Sequence, residues 1–198
     1  MIKHFISLDH SLFQFINGSL SNPFLDSVMP FITDPHTWGL PLLLFWLGLV
    51  LFGKKRGRIA AVILLTAVVL TDSIAAQLIK PLAGRIRPSH AMVDSINLLV
   101  APGGKYSFVS NHAANSFAIA VVVGYFYRRT KPWLYSLAGI ISFSRVYVGV
   151  HYPADVIFGG LFGYALAWMV ISAWVILKMR ELKRGRTWVW YENREPGG

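Results

Sequence analysis

The residues with the clearest capacity for chemistry lie in one stretch, Ser144–Asp155, which separates two apolar runs. This stretch contains a cation, an imidazole and a carboxylate, supplied by Arg145, His151 and Asp155. His151 and Asp155 are four residues apart, so on a helical turn they would share a face and could form a hydrogen bond. Pro153 suits the first turn of a helix, where free N–H groups bind anions. An oriented imidazole beside a guanidinium suits nucleophilic attack on a phosphate, but a His–Asp cap beside an anchoring arginine accounts for the same residues.

A second set of chemically capable residues begins where a long apolar run ends. Lys80, Arg85 and Arg87 place three cations within eight residues, and Pro88 follows them. A lysine acts as a point charge and an arginine as a bidentate fork, and the two together suit a phosphate. The alternative is that these side chains reach toward lipid headgroups at a membrane surface. For Arg85, headgroup binding and a solvated loop charge are equally good interpretations.

A third set lies just before the next apolar run and consists of Ser110, Asn111 and His112. Ser110 is predicted to be the N-cap of a helix, whose first N–H groups would be free to bind an anion. His112 would then lie in the first turn, close to that anion. A simple capping residue followed by an interfacial histidine explains the same pattern.

The composition indicates a membrane protein. Of the 198 residues, 55% are hydrophobic and 14% are charged, and the mean hydropathy is +0.51, which is too apolar for an ordinary soluble domain. The sequence contains no cysteine, which excludes disulfides and thiolate metal sites. Asp155 is the only acid within the three sets, so we predict no metal and no other cofactor.

The net charge of +10 is concentrated in three clusters, each at the end of an apolar run. The clusters lie at residues 54–58, 128–131 and 178–194. Cytoplasmic loops of membrane proteins carry such an excess of Lys and Arg, so we predict that all three clusters are cytoplasmic. This distribution argues against a nucleic-acid partner. Alternation of the spans then places the loop 80–111 and the stretch 144–155 together on the extracytoplasmic face.

The apolar runs predict an all-α fold: a polytopic membrane helical bundle of five or six transmembrane helices, in a single domain that covers residues 1–198. The predicted spans are 37–52, 59–79, 113–127, 132–143 and 154–177, so the bundle occupies residues 37–177. Several of these runs are shorter than the twenty or so residues that usually cross a bilayer, which predicts tilted or extended helices.

The segments that flank the bundle are predicted to lie at its surfaces. Segment 1–35 contains an amphipathic helix at 5–20, which suits the membrane interface. A short helix at 24–33 follows, for which spanning obliquely, dipping in and lying flat all remain open. The basic tail 181–198 is predicted to lie on the inner leaflet or to be partly disordered.

Residues outside the three sets carry weaker predictions. Asp72 lies inside a predicted span, where acids are costly and usually paired, so we expect a packing role with Thr71, Ser73 or a cation. The remaining histidines are interpreted as incidental, and aromatic residues near the span ends as interfacial anchors. These histidines are His4, His10, His36 and His90, and the anchors include Trp38, Trp133 and Tyr152.

Taken together and in order, the three sets resemble the motifs of the type 2 phosphatidic acid phosphatase (PAP2) superfamily. That family's pattern is Lys-x6-Arg-Pro, then Pro-Ser-Gly-His, then Ser-Arg-x5-His-x3-Asp. The first and third motifs match here at every specified position. The second keeps its Ser and His but has Val109 for the Pro and Asn111 for the Gly. The motifs span residues 80–155, and the predicted helices around them also suit the family.

The resemblance implies roles for the motif residues. His151 would be the nucleophile that forms a phosphohistidine, Asp155 would orient its ring, and His112 would be the general acid. The phosphoryl oxygens would be held, without a metal, by Lys80, Arg87, Ser110, Asn111 and Arg145.

The resemblance also implies an integral-membrane phosphatase that acts on a lipid phosphate or diphosphate at the outer surface of a bacterial-type cytoplasmic membrane. Its partners would be the bilayer and the lipid substrate; no oligomeric state is predicted. The first expected substrate is undecaprenyl diphosphate, with phosphatidylglycerol phosphate, phosphatidic acid and a lipid A phosphate as alternatives. The competing class is a transporter or flippase that binds a lipid phosphate without hydrolysing it, but binding alone does not require two histidines and an aspartate. Vanadate-dependent haloperoxidases share the motifs, but they are soluble, which the apolar runs argue against.

Overall fold

The computed structural model describes residues 2–189 and 191, and these form helices and connecting loops without a strand. The α-helices are α1 (Ile2–Gln14), α2 (Pro23–Thr33), α3 (Pro35–Leu51), α4 (Lys54–Ile74), α5 (Lys80–Ala83), α6 (Pro88–Ala91), α7 (Asn111–Phe126), α8 (Lys131–Tyr147) and α9 (Pro153–Lys183). Two π-helical turns, Phe15–Ser19 and Ala75–Ile79, follow α1 and α4, and short 3-10 turns lie at Val93–Ser95 and Arg128–Thr130. The all-α prediction is confirmed for this part of the chain, whereas residues 190 and 192–198 of the predicted tail lie outside the described residues.

Two helical segments are long and apolar enough to cross a bilayer. Lys54–Ala83 has 30 residues and Pro153–Lys183 has 31. At 1.5 Å per residue each is about 45 Å long, against about 30 Å of hydrocarbon. Pro35–Leu51 is also apolar but shorter. Each of the five predicted spans coincides with a helical segment that contains α3, α4, α7, α8 or α9.

The centre of the bundle is formed by α4, α7 and α9, which pack through small side chains. Ala60 and Ala67 of α4, Ala118 of α7 and Ala167 of α9 are almost completely buried in one core. Small residues allow helix backbones to approach closely, as is common in membrane bundles.

Two glycines of α9 place its first half directly against α7. A Cβ built on Gly163 would lie 1.9 Å from the carbonyl oxygen of Ala114, and one on Gly159 would lie 2.7 Å from that of Ser110. Because both oxygens belong to the backbone, no change of rotamer can move them away. The first turns of α7 and α9 are therefore held side by side, and the Ser110 N–H donates to the Asp155 carbonyl at 3.0 Å.

The N-terminal segment forms a helix most of whose large apolar residues point outward, whereas Phe13 is fully buried. Phe5 and Phe15 are more than half exposed, whereas Asp9 and Asn17 are buried. The Asn17 side chain donates to the carbonyl of Tyr147 at 2.7 Å, so its burial is matched by a hydrogen bond. An interfacial helix would turn its polar residues to water. Here two of them pack against the bundle instead, which corrects the orientation implied by the amphipathic pattern at 5–20.

Helix α2 begins at the break predicted from Ser21-Asn22-Pro23. Asn22 is its N-cap, and its Oδ1 accepts from the Leu25 N–H at 3.0 Å. The 11 residues of α2 give a length of about 16 Å, roughly half of the hydrocarbon thickness. The Tyr147 hydroxyl donates to the Asp26 carboxylate at 2.6 Å, which attaches α2 to the end of α8.

Candidate active site

The loop between α5 and α7 joins two of the three chemically capable sets. It folds back on itself through an antiparallel bridge between Ile86 and Tyr106. The Leu99 N–H donates to the Val148 carbonyl at 3.3 Å, which attaches the loop to the chain just after α8. The structure therefore brings this loop and the stretch 144–155 together, as the alternation of predicted spans required.

Lys80 directly follows the π-helical turn Ala75–Ile79. A π-turn inserts an extra residue into a helix, which changes the face on which the following residues lie, and such turns are frequent at functional sites. The charge of Lys80 acts on His151, so the lysine belongs to the same electrostatic environment as the imidazole. The apolar run predicted a continuous span at 59–79 and contained no signal for this turn.

Arg87 is held in the loop by contacts along its side chain. Its Nε donates to the Tyr106 carbonyl at 3.1 Å, and the residue is only 8% exposed. Gly103, at φ +70°, lies over the guanidinium: a Cβ there would be 3.0 Å from Nη1. Burial lowers the pKa of Arg87, and the charge of Asp155 partly offsets that effect. The result is a fixed cation whose charge acts on His151.

Arg145, in the last turn of α8, is the second buried guanidinium of the site. Its Nη1 donates to the Thr33 hydroxyl at 2.6 Å, so α2 ends against this residue. Its Nε is buried and has no hydrogen-bond partner among the described residues. An unpaired buried donor on a charged group is costly, which favours an anion at this position.

Ser110 is the N-cap residue of α7, as predicted, and His112 lies in the first turn of that helix. The Ser110 hydroxyl, however, makes no capping hydrogen bond. Its Oγ is buried and unpartnered within residues 2–189 and 191, a condition that costs about 1–3 kcal/mol. The hydroxyl and the N–H groups of the first turn are thus arranged for an external acceptor such as a phosphate oxygen.

Asn111 uses its side chain to join α7 to α4. Its Nδ2 donates to Asp72 Oδ1 at 2.8 Å, and Nδ2 of Asn115 donates to the same oxygen at 3.1 Å. The packing role expected for Asp72 is therefore carried by two asparagines, not by Thr71, Ser73 or a cation. Because its amide group points at Asp72, Asn111 can reach a phosphate only through its backbone N–H.

His151 and Asp155 lie together, but by a different local structure from the predicted helical turn. His151 precedes α9, which begins at Pro153 as predicted. Asp155 turns back toward the start of the helix, and its Oδ2 accepts from the Tyr152 N–H at 2.9 Å. That oxygen is 3.5 Å from His151 Nδ1, a close contact without the geometry of a hydrogen bond. Nδ1 has no hydrogen-bond partner among the described residues. Such contacts are often long without substrate and shorten in the reacting complex.

The imidazole of His151 is buried, and cations from two of the three sets act on it. The pKa of His151 is held well below its ordinary value, first by burial and then by the charges of Arg87, Arg145 and Lys80. The ring is therefore neutral near pH 7, which leaves a nitrogen lone pair available for attack on phosphorus.

Arg85 is a residue of this site that the sequence left ambiguous. Its Nη1 donates to Asp155 Oδ1 at 2.9 Å, and its Nη2 donates to the Asp9 carboxylate. The interpretation of Arg85 as a solvated loop charge is therefore wrong, and the lipid-headgroup interpretation did not predict these two partners. The amphipathic pattern of the N-terminal helix placed Asp9 on the polar side but contained no signal for its partner.

The position of Tyr152 near a span end also led to a wrong prediction, that of an interfacial anchor. Tyr152 is 3% exposed, and its ring stacks on His10 with centroids 4.9 Å apart and planes 4° from parallel. It is therefore a buried packing residue and not an interfacial anchor, and His10 is not incidental. Trp133, by contrast, is 76% exposed.

Residues 2–189 and 191 contain no group of three His, Cys, Asp or Glu side chains that could hold a metal ion. The charge available to an anion comes instead from Lys80, Arg87 and Arg145. Three fixed cations beside a neutral imidazole can bind a phosphoryl group and offset the charge that develops on its oxygens.

Comparison with known proteins identifies chains that are similar to this one. A family model described as the PAP2 superfamily matches residues 60–178. The chain is 28% identical over 189 residues to the lipid A 4'-phosphatase of Porphyromonas gingivalis, which covers 91% of this chain and 79% of that protein. It is 30% identical over 158 residues to the undecaprenyl-diphosphatase BcrC of Bacillus subtilis, which covers 76% of each.

A solved structure shows the same fold. It is the crystal structure of the first transmembrane PAP2 type phosphatidylglycerolphosphate phosphatase from Bacillus subtilis, with a TM-score of 0.65 and 23% identity over 85% of each chain.

Proposed function

This chain belongs to the PAP2 superfamily and is a membrane lipid phosphatase, and we propose that His151 is the nucleophile with which it transfers the phosphoryl group of its lipid to water. The observation that carries this assignment is the neutral, buried imidazole of His151 within reach of the charges of Lys80, Arg87 and Arg145. A transporter that only binds lipid phosphate needs the cations but has no use for an activated nucleophile.

In the first step, a lone pair of His151 forms the N–P bond while the P–O bond to the lipid breaks. Burial and the charges of Arg145, Arg87 and Lys80 lower the pKa of His112 to about 3, so His112 takes up a proton when the negative phosphoryl group binds and offsets those charges. It then donates this proton to the departing oxygen, and the lipid leaves as an alcohol or, from a diphosphate, as a monophosphate. Asp155, 3.5 Å from Nδ1, stabilises the positive charge on the phosphorylated ring. In the second step, His112 takes a proton from water, which attacks phosphorus and releases inorganic phosphate and free His151.

The phosphoryl oxygens are held by Lys80, Arg87 and Arg145, the Ser110 hydroxyl and the first N–H groups of α7, among them that of Asn111. The unpartnered Arg145 Nε and Ser110 Oγ support this, since a bound phosphate would supply the acceptor that the described residues do not. PAP2 phosphatases are generally metal-independent, and this cradle of side-chain cations performs the charge stabilisation that a metal supplies elsewhere.

We place the site on the extracytoplasmic side of a bacterial-type cytoplasmic membrane, in a single multi-pass domain of five or six spans. The support is the position of the basic clusters, which gather away from the site. Arg56 lies 4.6 Å from the centre of the Tyr127 ring, and Lys55 donates to the Thr187 carbonyl, so clusters from three parts of the chain meet at one end. By the positive-inside rule this end faces the cytoplasm.

An apolar groove of about 310 Å³ supports a lipid as the substrate. It lies between α7, α8 and α9 and is lined by residues that include Phe117, Gly139, Val156 and Tyr164. Val156 directly follows Asp155, so the groove begins one residue from the site, and it runs along the exposed side of the first half of α9 to Tyr164. A lipid chain in this groove would leave its phosphate at the level of His151.

For the substrate we put a lipid A-type phosphate monoester first and undecaprenyl diphosphate second. The lipid A 4'-phosphatase of Porphyromonas gingivalis aligns with 91% of this chain, whereas the undecaprenyl-diphosphatase BcrC aligns with 76%. This order reverses the one expected from the motifs, which favoured the prenyl diphosphate. Both lipids present a phosphate on a long apolar anchor.

Phosphate release from purified protein in detergent tests the function. We expect turnover of a lipid A phosphate at a higher kcat/KM than of undecaprenyl diphosphate, phosphatidylglycerol phosphate or phosphatidic acid. The lipid that turns over fastest defines the substrate. Binding of all four lipids without release of phosphate from any would contradict the enzyme and support a transporter.

His112→Ala should reduce kcat/KM on a lipid phosphate by at least about 100-fold, because a poor alkoxide leaving group needs a proton as it departs. On an aryl phosphate with a good leaving group the loss should be less than about tenfold. Rates on both substrates are compared for His112→Ala and for the control His90→Ala, which alters an exposed histidine that contacts Gly103. Equal losses on the two substrates would contradict the general-acid role.

A further inference from the structure

The Arg85 guanidinium lies between two carboxylates from distant parts of the chain. Nη1 donates to Asp155 Oδ1 at 2.9 Å, and Nη2 donates to Oδ2 of Asp9 in the N-terminal helix. Asp155 is fully buried and Asp9 is 6% exposed, while Arg85 retains 25% exposure. Asp9 lies outside the three family motifs, and Arg85 occupies a position that the first motif leaves unspecified.

Asp9 also contacts the first turn of α9, the helix that follows His151. Its Oδ1 accepts from the Ala154 N–H at 2.8 Å, one of the helix-terminal donors that have no partner within a helix. The Arg85 guanidinium carbon lies 4.0 Å from the centre of the Tyr152 ring, and His10 of α1 stacks on that ring. Helix α1 thus packs against the turn that carries the proposed nucleophile.

These contacts determine the orientation of the Asp155 carboxylate. Its Oδ2 is bound by the Tyr152 N–H and faces His151 Nδ1, and its Oδ1 is bound by Arg85. With both oxygens engaged, the carboxylate cannot rotate about its last bond. Without Arg85, Oδ1 would lose its donor, and the negative charges of Asp9 and Asp155 would face each other unscreened.

We infer that Asp9 and Arg85 form a positioning pair for Asp155 and His151, so that the docking of α1 controls the rate at which the imidazole attacks phosphate. The inference rests on the proposed role of His151. Arg85 touches no reacting atom in this scheme; it acts through the carboxylate that orients the ring.

A positioning pair and a merely structural contact predict different kinetics. Misorientation of the His151 ring slows bond formation but leaves the cation cradle of Lys80, Arg87 and Arg145 intact. The loss should therefore appear in kcat and not in KM. It should be the same for a lipid and an aryl phosphate, because both substrates react through the same attack by His151. A loss of folding stability would instead lower the amount of active protein.

The variants Asp9→Asn and Arg85→Gln, and the double variant, test the inference in the purified full chain. Asp9→Asn keeps an oxygen for the Ala154 N–H and removes both the charge and the Oδ2 acceptor that pair with Arg85. We expect kcat to fall about 10-fold for Asp9→Asn and about 100-fold for Arg85→Gln, with KM within threefold, as for small displacements of reacting groups. The double variant should be no slower than Arg85→Gln, because the two residues act as one unit.

Asp26→Asn is the matched control, because Asp26 is another N-terminal carboxylate that binds the bundle, through the Tyr147 hydroxyl, without touching Asp155. It should lower the melting temperature as much as Asp9→Asn but leave kcat within threefold. Added guanidinium ion at millimolar concentration should raise the kcat of Arg85→Ala at least tenfold and leave that of Asp26→Asn unchanged.

Three results would overturn the inference: losses of kcat no larger than for Asp26→Asn, additive losses in the double variant, or no rescue by guanidinium. The proposed function is tested separately by His151→Ala. If that variant is inactive while the Asp9 and Arg85 variants keep the wild-type kcat, only the positioning pair is wrong. If His151→Ala retains activity, the nucleophile assignment itself is wrong.

Discussion

His151→Ala protein should release no measurable phosphate from any lipid or aryl phosphate, a loss of more than about 10⁴-fold in kcat. The reason is that the N–P bond of the proposed mechanism forms on His151. Without this imidazole, Lys80, Arg87 and Arg145 can still bind the phosphate, but the phosphoryl group has no acceptor. The protein should still fold, because Nδ1 of His151 makes no hydrogen bond within the described residues and the site remains lined by the same helices. Phosphate release and the melting temperature in detergent measure the two effects.

A covalent intermediate gives a second measurement on the same variant. Brief incubation of wild-type protein with a ³²P-labelled substrate should leave label on the chain that is stable in alkali and lost in acid, as expected for a phosphohistidine. The label should be absent from His151→Ala and present in the control His90→Ala, whose ring contacts only a loop carbonyl in the part of the chain that the structure describes. Substantial turnover by purified His151→Ala would refute the mechanism.

Gly163→Ala should destabilise the protein by about 2–3 kcal/mol, a large effect for one methyl group. The added Cβ would lie 1.9 Å from the Ala114 carbonyl oxygen, so α7 and α9 must separate to accommodate it. Such a shift moves His112 and Ser110 away from His151, and displacement of about 1 Å costs about 100-fold in rate. The melting temperature should fall by about 5–10 °C and kcat by about two orders of magnitude.

Gly48→Ala is the matched control, because Gly48 also lies within an apolar helix but has nothing within 4 Å of its built Cβ. This substitution should leave activity unchanged and raise stability by up to about 1 kcal/mol, the helix propensity difference between the two residues. If Gly163→Ala behaved like Gly48→Ala, the close contact between α7 and α9 would not be what holds the site together.

The sequence by itself selected the residues to which the proposed mechanism assigns the chemistry. Lys80, Arg87, Arg145, Ser110, His112, His151 and Asp155 were selected by residue type and spacing. The helices could be predicted as well, because runs of apolar residues and a Pro at a first turn are local signals. The charge clusters predicted that the loop and the stretch 144–155 share one membrane face. The structure brings the two segments into contact, and the membrane face they occupy stays a prediction.

Only the tertiary structure decided how those residues are held. Arg85 reaches Asp9 across 76 positions and Asp155 across 70, and Asp9 reaches Ala154 across 145. Periodicity assigns residues to the faces of a helix, but it does not say whether a polar face turns to water or to a buried partner. The same limit explains why Tyr152 was taken for an interfacial anchor. The π-helical turn before Lys80 could not be predicted from the sequence either, because the apolar run around it is continuous. Motif residues are recognised locally, whereas the contacts that orient them depend on where α1, α4, α7 and α9 pack.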